Sequence, residues 1–600
     1  MPLDDVKLHL IDSLDDVLKF REWLGSRDAE LIGVDTETTG LERDAQVRLV
    51  QIGGHQHGWA IPWDGWWGAA KCALDAYDGP VVFHNAVFDV PKLERQGLSI
   101  ERRRIRDTMV MSRVIEPHQS MALKNQTARH VDAAAAAAQG ELAKAINGRL
   151  ANFTWATIPI DFPAYWQYGA LDPVLTVHLH DVHWPVVQAE CPRAYDIETS
   201  VLWTLEKMEN YGAHIDVPYA RKKFDEFMEY VGHAEKWIWD NYKVRAGSNA
   251  AIIKCLEADG ITFAKVTASG AKALDKEVLA NCLDHPLAAT VLQRRQLQKI
   301  ATTYLRHFAD EVDSNDCIHP RINSLGARTS RMSMSEPNLQ NLSRKSEHNP
   351  AATAVRNSLT TRYGDDGTLL MCDFDQIEMR GMAYVSGDPG LAQAFLTDQD
   401  FFVSLAQEIF QDQAITKSDP RRQVTKNAAY SEVYGAGIAK FAQTAGIAYD
   451  RAAAVKQRWN ELYPGTKTYA KQVEHEAYTN HRETGTAFIR SPFDNRRLVS
   501  EYNKVYALVN YAIQQMAATV FKTKILALDA AGLDKFMVVP VHDEIVLDVP
   551  NSDVADVVTT LRDIMNDPNT FAPIPITASV SWGKRWGDKK DLESLDELHL

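Results

Sequence analysis

"VVPVHDEIVLDV", residues 538–549, sets three ionisable groups, His542, Asp543 and Glu544, between two apolar runs. Runs of this kind, rich in valine, isoleucine and leucine, have the character of buried strand. A carboxylate without a partner is costly to bury, so it shifts its pKa, pairs with a cation or binds a metal. A tight hairpin with a solvated tip is the plainer reading of an isolated HDE. The choice depends on the rest of the chain.

The 600 residues exceed what one core can organise, so about two to four domains are expected. Hydrophobic residues make up 45% and charged residues 24%, ordinary values for a soluble globular enzyme. No apolar run approaches a membrane span, and "MPLDDVKLHLIDSLDD" lacks the layout of a signal peptide. Cys72, Cys191, Cys255, Cys282, Cys317 and Cys372 are scattered without a CxxC pair, which argues against a zinc ribbon or disulfide framework. The pattern suits a reducing cytoplasm. The net charge of −15 does not exclude nucleic acid, because a binding channel needs only local basic lining and metal sites add acids.

Residues 1 to about 190 have an α/β pattern. "LIGVDTETTG" and "PVVFHNAVFD" are strand-like, and "DAAAAAAQGELAKAI" (132–146) is a strong helix former. From Arg193 to about 310 the pattern is helical. Strand returns at "GTLLMCDFD" (367–375) and at 536–549, with a long helical stretch from about 388 to 480 between them. Two acid-bearing strands roughly 160 residues apart predict one sheet assembled from distant segments. The tail "DKKDLESLDELHL" is expected to be solvated.

In "VDTETTG", Asp35 and Glu37 lie two apart at a strand end and therefore on one face. They would repel unless divalent cations sat between them. "HNAVFD" closes the second strand-like run in Asp89, and "YGALD" puts Tyr168 and Asp172 on one face of a helix. Each pair alone is as readily a solvated strand or helix end. In this order, DxE, NxxxFD and YxxxD, they resemble the tyrosine-bearing 3′–5′ proofreading exonuclease domain of DNA polymerases, which has an RNase H-like fold. The resemblance covers residues 1–190. It implies that Asp35, Glu37, Asp89 and Asp172 hold two Mg²⁺ ions about 3.5–4 Å apart, with Tyr168 orienting the attacking water. The all-oxygen ligand set suits Mg²⁺, with Mn²⁺ a possible substitute.

Arg422, Lys426, Tyr430 and Tyr434 are spaced by four, which predicts one helical stripe of two cations and two rings suited to a nucleoside triphosphate. A solvated cationic face with core tyrosines is the plainer alternative for the stripe alone. "DFDQIEMR", RxxxKxxxYxxxYG and "VHDE", in that order, resemble the A, B and C motifs of family A DNA polymerases, the DNA polymerase I type. "TSRMSMSEPNLQN" (329–341) and "NYAIQQ" (510–515) resemble that family's duplex-binding segments, and "GSNAAIIKCLEADGI" resembles part of its thumb. The implied fold is a multidomain α/β chain: an RNase H-like exonuclease domain (1–190), then a right-hand polymerase (191–600). Within the latter the thumb would span about 195–320, the palm about 321–385 and 485–600, and the fingers about 386–484.

By the same resemblance Asp373 and Asp543 ligate two Mg²⁺ ions for in-line attack of the primer 3′-OH on a dNTP, and Glu544 supports them. Arg422 and Lys426 grip phosphates, Tyr430 stacks on the incoming nucleotide with Tyr434 beside it, and Glu378 excludes a 2′-OH. Arg331, Asn338, Asn510 and Gln514 contact the primer–template duplex, and His542 touches the primer end. Asp375, Ser431, Ser330 and Phe402 depart from the family pattern, the last standing where relatives carry a histidine. The partners implied are primer–template DNA, dNTPs and a single-stranded 3′ end, with no membrane and a monomeric state. The layout is bacteriophage-like, which would make the location a host cytoplasm and the role DNA replication. With so few residues before Asp35, no 5′-nuclease domain is expected there. A single-subunit RNA polymerase shares several of these motifs, but Glu378 and the proofreading pattern oppose it. A non-catalytic DNA-binding factor on a decayed scaffold is opposed by the presence of all seven expected carboxylates.

Overall fold

The computed structural model describes residues 5–598 except 134, 136–141, 144–145, 147–152, 264, 268–269, 343–350 and 398–399. Most of the helix expected over 132–146 therefore lies outside the described residues.

The N-terminal part is built on a mixed sheet of β1 (Lys7–Leu10), β2 (Ile32–Thr38), β3 (Val47–Gly53), β4 (His57–Pro62), β5 (Val81–Phe83) and β6 (Ile105–Asp107), in the order β1-β4-β3-β2-β5-β6. β2, β3 and β4 form an antiparallel meander, while β5 runs parallel to both β2 and β6. This is the arrangement an RNase H-like fold requires. Helices α1 (Ala86–Arg95), α2 (Leu123–His130) and α3 (Pro163–Glu190) complete the site-bearing frame. α3 lies across β2, β3 and β4 in backbone contact. A Cβ added at Gly33 would lie 2.3 Å from the Pro173 carbonyl oxygen, and one at Gly58 would lie 1.9 Å from that of Ala170. Gly33, Asp35 and Glu37 alternate onto one face of β2, so the missing side chain at Gly33 brings Tyr168 and Asp172 of α3 down onto the two acids.

α3 ends at Glu190, and Pro192 opens α4 (Pro192–Tyr211), a favourable first helical residue because its missing N–H would be unpaired anyway. The helical stretch continues through α5 (Val217–Tyr242) and α6 (Pro286–Ile300), which pack on each other. Then come β7 (Gly367–Phe374), α7 (Ile377–Ser386), α8 (Phe401–Phe410), α9 (Pro420–Val433), β8 (Ala487–Arg490), β9 (Arg497–Ser500) and α10 (Ala507–Ala530). The chain closes with β10 (Met537–Val541), β11 (Glu544–Pro550), β12 (Ala578–Gly583) and β13 (Lys590–Asp591). The second sheet runs β10-β11-β7-β12-β13, antiparallel throughout, and pairs Asp373 with Glu544 across β7 and β11. The expected sheet from distant segments is present, with Leu370, Met371, Val539, Ile545, Leu547 and Phe521 in its core.

A buried charge network ties the elements behind this sheet. Lys522 of α10 donates to Glu198 of α4 at 2.8 Å, and Arg496 reaches Glu198 at 2.7 Å and Asp494 at 2.6 Å. All four are inaccessible, so each charge is offset in place, as buried ions require. Arg496 also donates to the Ser330 hydroxyl at 2.5 Å. Ser330 has φ +59°, which explains why a glycine suits that position.

Three sequence expectations change. Asp89 does not end a strand: β5 stops at Phe83, Asn85 turns with φ +82°, and Asp89 lies in α1. The expected four-residue stripe leaves its helix before the last member, since Tyr434 caps α9. Nor is the tail wholly solvated, because Lys590–Asp591 adds a strand and Leu592 is buried.

Candidate active sites

The first centre forms where β2 meets α1 and α3. Carboxylate oxygens of Asp35, Glu37 and Asp172 lie within 4.8 Å of one another. Asp89 adjoins them by accepting a 2.6 Å bond from the Thr36 hydroxyl. Burial pushes the Asp35 carboxyl up to about 6, against the pull of nearby Lys124. Burial, then the charge of Asp35, raises Glu37 and Asp89 well above the ordinary carboxylate range. Crowded, buried, all-oxygen donors of this kind fit divalent cations. Tyr168 stands on the same face of α3 as Asp172, as expected.

Sequence reasoning missed two residues here. Asp107, at the end of β6, accepts from the backbone N–H groups of Asn85 and Ala86 and thereby fixes the turn that starts α1. Its position as an N-cap before Thr108 was a readable signal. Lys124 of α2 bonds Asp172 and lies 4.3 Å from the centre of the Tyr168 ring. Burial lowers its ammonium to about 8, against the pull of Asp35 and Glu37. No pattern in α2 marks it.

The second centre forms at one end of the five-stranded sheet. β10 and β11 are joined by a two-residue turn, His542-Asp543, with His542 at φ +60°. Both readings of the opening stretch thus hold in part. The tip is a tight hairpin with His542 exposed and Asp543 half-buried, while Glu544 is buried against Asp373. The Phe374 N–H bonds the Asp543 carbonyl at 3.4 Å, which joins the turn to the end of β7. Glu544 accepts from Trp586 Nε1 at 2.9 Å and from Lys589 Nζ at 2.5 Å, so residues from the C-terminal segment hold its carboxylate. Lys589 escaped notice because it sat in a segment expected to be solvated. Asp375 accepts from the Ser579 hydroxyl at 2.7 Å, which turns its extra charge along the sheet.

α9 faces this centre. Asp400 pairs with Arg422 through bonds of 3.1 and 2.7 Å while also capping α8. Phe402 is buried beneath Arg422 and Lys426, 5.7 and 5.6 Å from their charged ends, which supplies a physical role for the residue at the histidine position. Burial, then the negative charges of Glu378, Asp543 and Asp373, raises the Tyr430 phenol and keeps it protonated. Glu378 is held by Arg331 and by a 3.0 Å bond from the Tyr434 hydroxyl. Ser431 turns its hydroxyl back to the Ala428 carbonyl at 2.7 Å, so it fits where a glycine was expected.

Arg331, His542 and Asp543 line one recess beside α10. Gln514 shares a half-buried face of α10 with Asn510, whereas Gln515 is buried against Asp494 and Thr519. Asn338 spends its side-chain oxygen capping the turn at Leu339–Asn341.

Two family models match this chain: "DNA polymerase family A" over residues 220–588 and "3′-5′ exonuclease" over residues 11–188. The DNA polymerase of Mycobacterium phage D29 is 27% identical over 624 aligned residues, covering 97% of this chain and 98% of the relative. DNA polymerase I of Chloroflexus aurantiacus is 25% identical over 94% of this chain and 62% of its own length. Among solved structures, the POL domain of Pol1 from M. smegmatis, in complex with DNA primer-template and dNTP, has the same fold: TM-score 0.77, 21% identity, 97% of this chain and 99% of that one.

Proposed function

This chain belongs to DNA polymerase family A, with a 3′–5′ exonuclease domain ahead of the polymerase domain, and from that premise we propose how its two centres divide the work. Polymerase and exonuclease domains of this kind generally use divalent metals, and Mg²⁺ is the ion proposed here, with Mn²⁺ able to replace it. When bound, such ions lower the pKa of an attacking hydroxyl and neutralise the charge that builds on the phosphate.

In the polymerase centre Asp373 and Asp543 are the proposed ligands. Glu544, fixed by Trp586 and Lys589, would support the site through its charge. Arg422 and Lys426 bind the triphosphate of a dNTP, and Arg422 must share or release Asp400 to do so. Tyr430 stacks on the sugar and base, and Glu378, held by Arg331 and Tyr434, closes the space beneath the ribose. Arg331, Asn338, Asn510, Gln514 and His542 contact the primer–template. In the exonuclease centre Asp35, Glu37, Asp89 and Asp172 are the proposed ligands, and Tyr168 orients the water that attacks a single-stranded 3′ end. The division into residues 1–190 and 191–600 belongs to the same proposal, as does a replication role in a host cytoplasm.

The observation that carries it is the presence of two separate acid centres on two sheets, Asp35, Glu37 and Asp172 with oxygens within 4.8 Å of one another on the first and Asp373 paired with Glu544 on the second. The relatives reported above are DNA polymerases, so the RNA-polymerase alternative is not favoured. The test is extension of a primer with dNTPs or NTPs, from matched and mismatched 3′ ends. Extension with dNTPs and excision of the mismatch before extension are expected. Extension with NTPs alone would contradict the proposal.

A further inference from the structure

Lys124 is a cation set inside a cluster of acids. α2 carries it, Asp172 bonds its ammonium, and the Tyr168 ring lies 4.3 Å from it. The side chain is 5% exposed, so little solvent offsets its charge. Its neighbours include the trio whose oxygens lie within 4.8 Å of one another. Without another cation, three carboxylates at that spacing, Glu37 and Asp172 buried and Asp35 half-buried, repel strongly, and the ammonium is the group on hand to hold them together.

A divalent ion ligated by Asp172 competes with Lys124 for the same carboxylate. The ammonium must then give way, but its flexible four-carbon stem keeps it within reach of the centre. The substrate would bring a new anion to that place, because a scissile phosphate cleaved at these acids would lie within reach of Asp172 and Tyr168 of α3. Resting on the exonuclease assignment, we propose that Lys124 is a further catalytic residue of excision. It holds the acid cluster while the site is empty, and moves to a non-bridging oxygen of the scissile phosphate when ions and strand bind. The bond formed joins the water oxygen to phosphorus, and the bond broken is P–O3′. The water's proton leaves to solvent, and the departing 3′ oxygen takes up a proton. Charge building on the phosphate during attack meets the Lys124 ammonium, and loss of one such donor typically slows a reaction by about 10²- to 10³-fold.

The experiment uses the full chain with Asp543→Ala, which confines strong ion binding to the exonuclease centre, and compares Lys124→Met with Lys124→Arg. Mn²⁺ binding without DNA is followed by electron paramagnetic resonance, and excision is timed on a single-stranded oligonucleotide at saturating Mg²⁺. The account expects Lys124→Met to bind Mn²⁺ more tightly yet excise about 100-fold more slowly, with Lys124→Arg recovering much of the rate. Unchanged excision in Lys124→Met overturns the catalytic role, and unchanged or weaker Mn²⁺ binding overturns the holding role. If Lys124→Met does not fold, wild-type Mn²⁺ affinity in Lys124→Arg supports the shared position, and excision by that variant as slow as a metal-ligand knockout overturns the phosphate contact. Excision that survives Asp35→Ala with Glu37→Ala would instead sink the exonuclease assignment itself.

Discussion

Tyr430 carries the most specific chemical consequence of any single residue. Burial, then the nearby charges of Glu378, Asp543 and Asp373, raises its phenol above the ordinary tyrosine value. In the proposed site a dNTP uses its own 3′-OH as a hydrogen-bond partner near its phosphates. A dideoxynucleotide lacks that group and leaves polar atoms unpaired, at a cost of about 1–3 kcal/mol. The Tyr430 hydroxyl can fill the vacancy, so the wild type should accept dideoxynucleotides readily. Tyr430→Phe should raise discrimination against them roughly tenfold to a few hundredfold, since each ~1.4 kcal/mol is tenfold. Single-nucleotide kinetics in an exonuclease-deficient background measure it, and equal selection by both proteins would contradict this placement of α9. At this scale the acids were legible, because metal chemistry needs them at strand ends and fixed spacings. Their cations were not. Lys124 and Lys589 come from distant segments, and nothing in a lone lysine says which carboxylate it will meet.

Among the elements, α3 decides whether the first centre assembles. It bears both Tyr168 and Asp172, and it reaches β2 only because Gly33 offers no side chain. Gly33→Ala puts a Cβ against the Pro173 backbone, where only a shift of the helix or strand makes room. Excision should fall at least tenfold, while primer extension, built on the other sheet, should keep its rate. Parallel excision and extension assays check this, and wild-type excision would mean that α3 does not set the geometry. Elements were legible where period and length agreed, as in β2, β7 and the helical run from 388. Asp89 was misassigned because "VVFHNAVF" keeps a strand-like apolar character through a turn. That turn depends on the left-handed conformation of Asn85 and on Asp107 accepting its N–H, a contact made 22 residues later. The tail was misassigned because its charges looked solvated, although Lys589 bonds Glu544 of the second sheet and Lys590 pairs along that sheet's edge.

The whole molecule joins two catalytic units through charges rather than apolar surface alone. Glu190, at the end of α3, accepts from Arg490 and Arg497 of the β8–β9 hairpin, and the Glu198–Lys522–Arg496–Asp494 network lies just behind. The overall charge of −15 says little about DNA binding, because many of its acids are spent within these networks and in the two centres. The central claim is that excision and extension have separate carboxylate sets. Measured on one labelled primer–template with a mismatched 3′ end, Asp35→Ala with Glu37→Ala should abolish excision and still extend matched primers. Asp543→Ala should stop extension and still shorten a single strand. Loss of both activities in either folded variant would contradict the account.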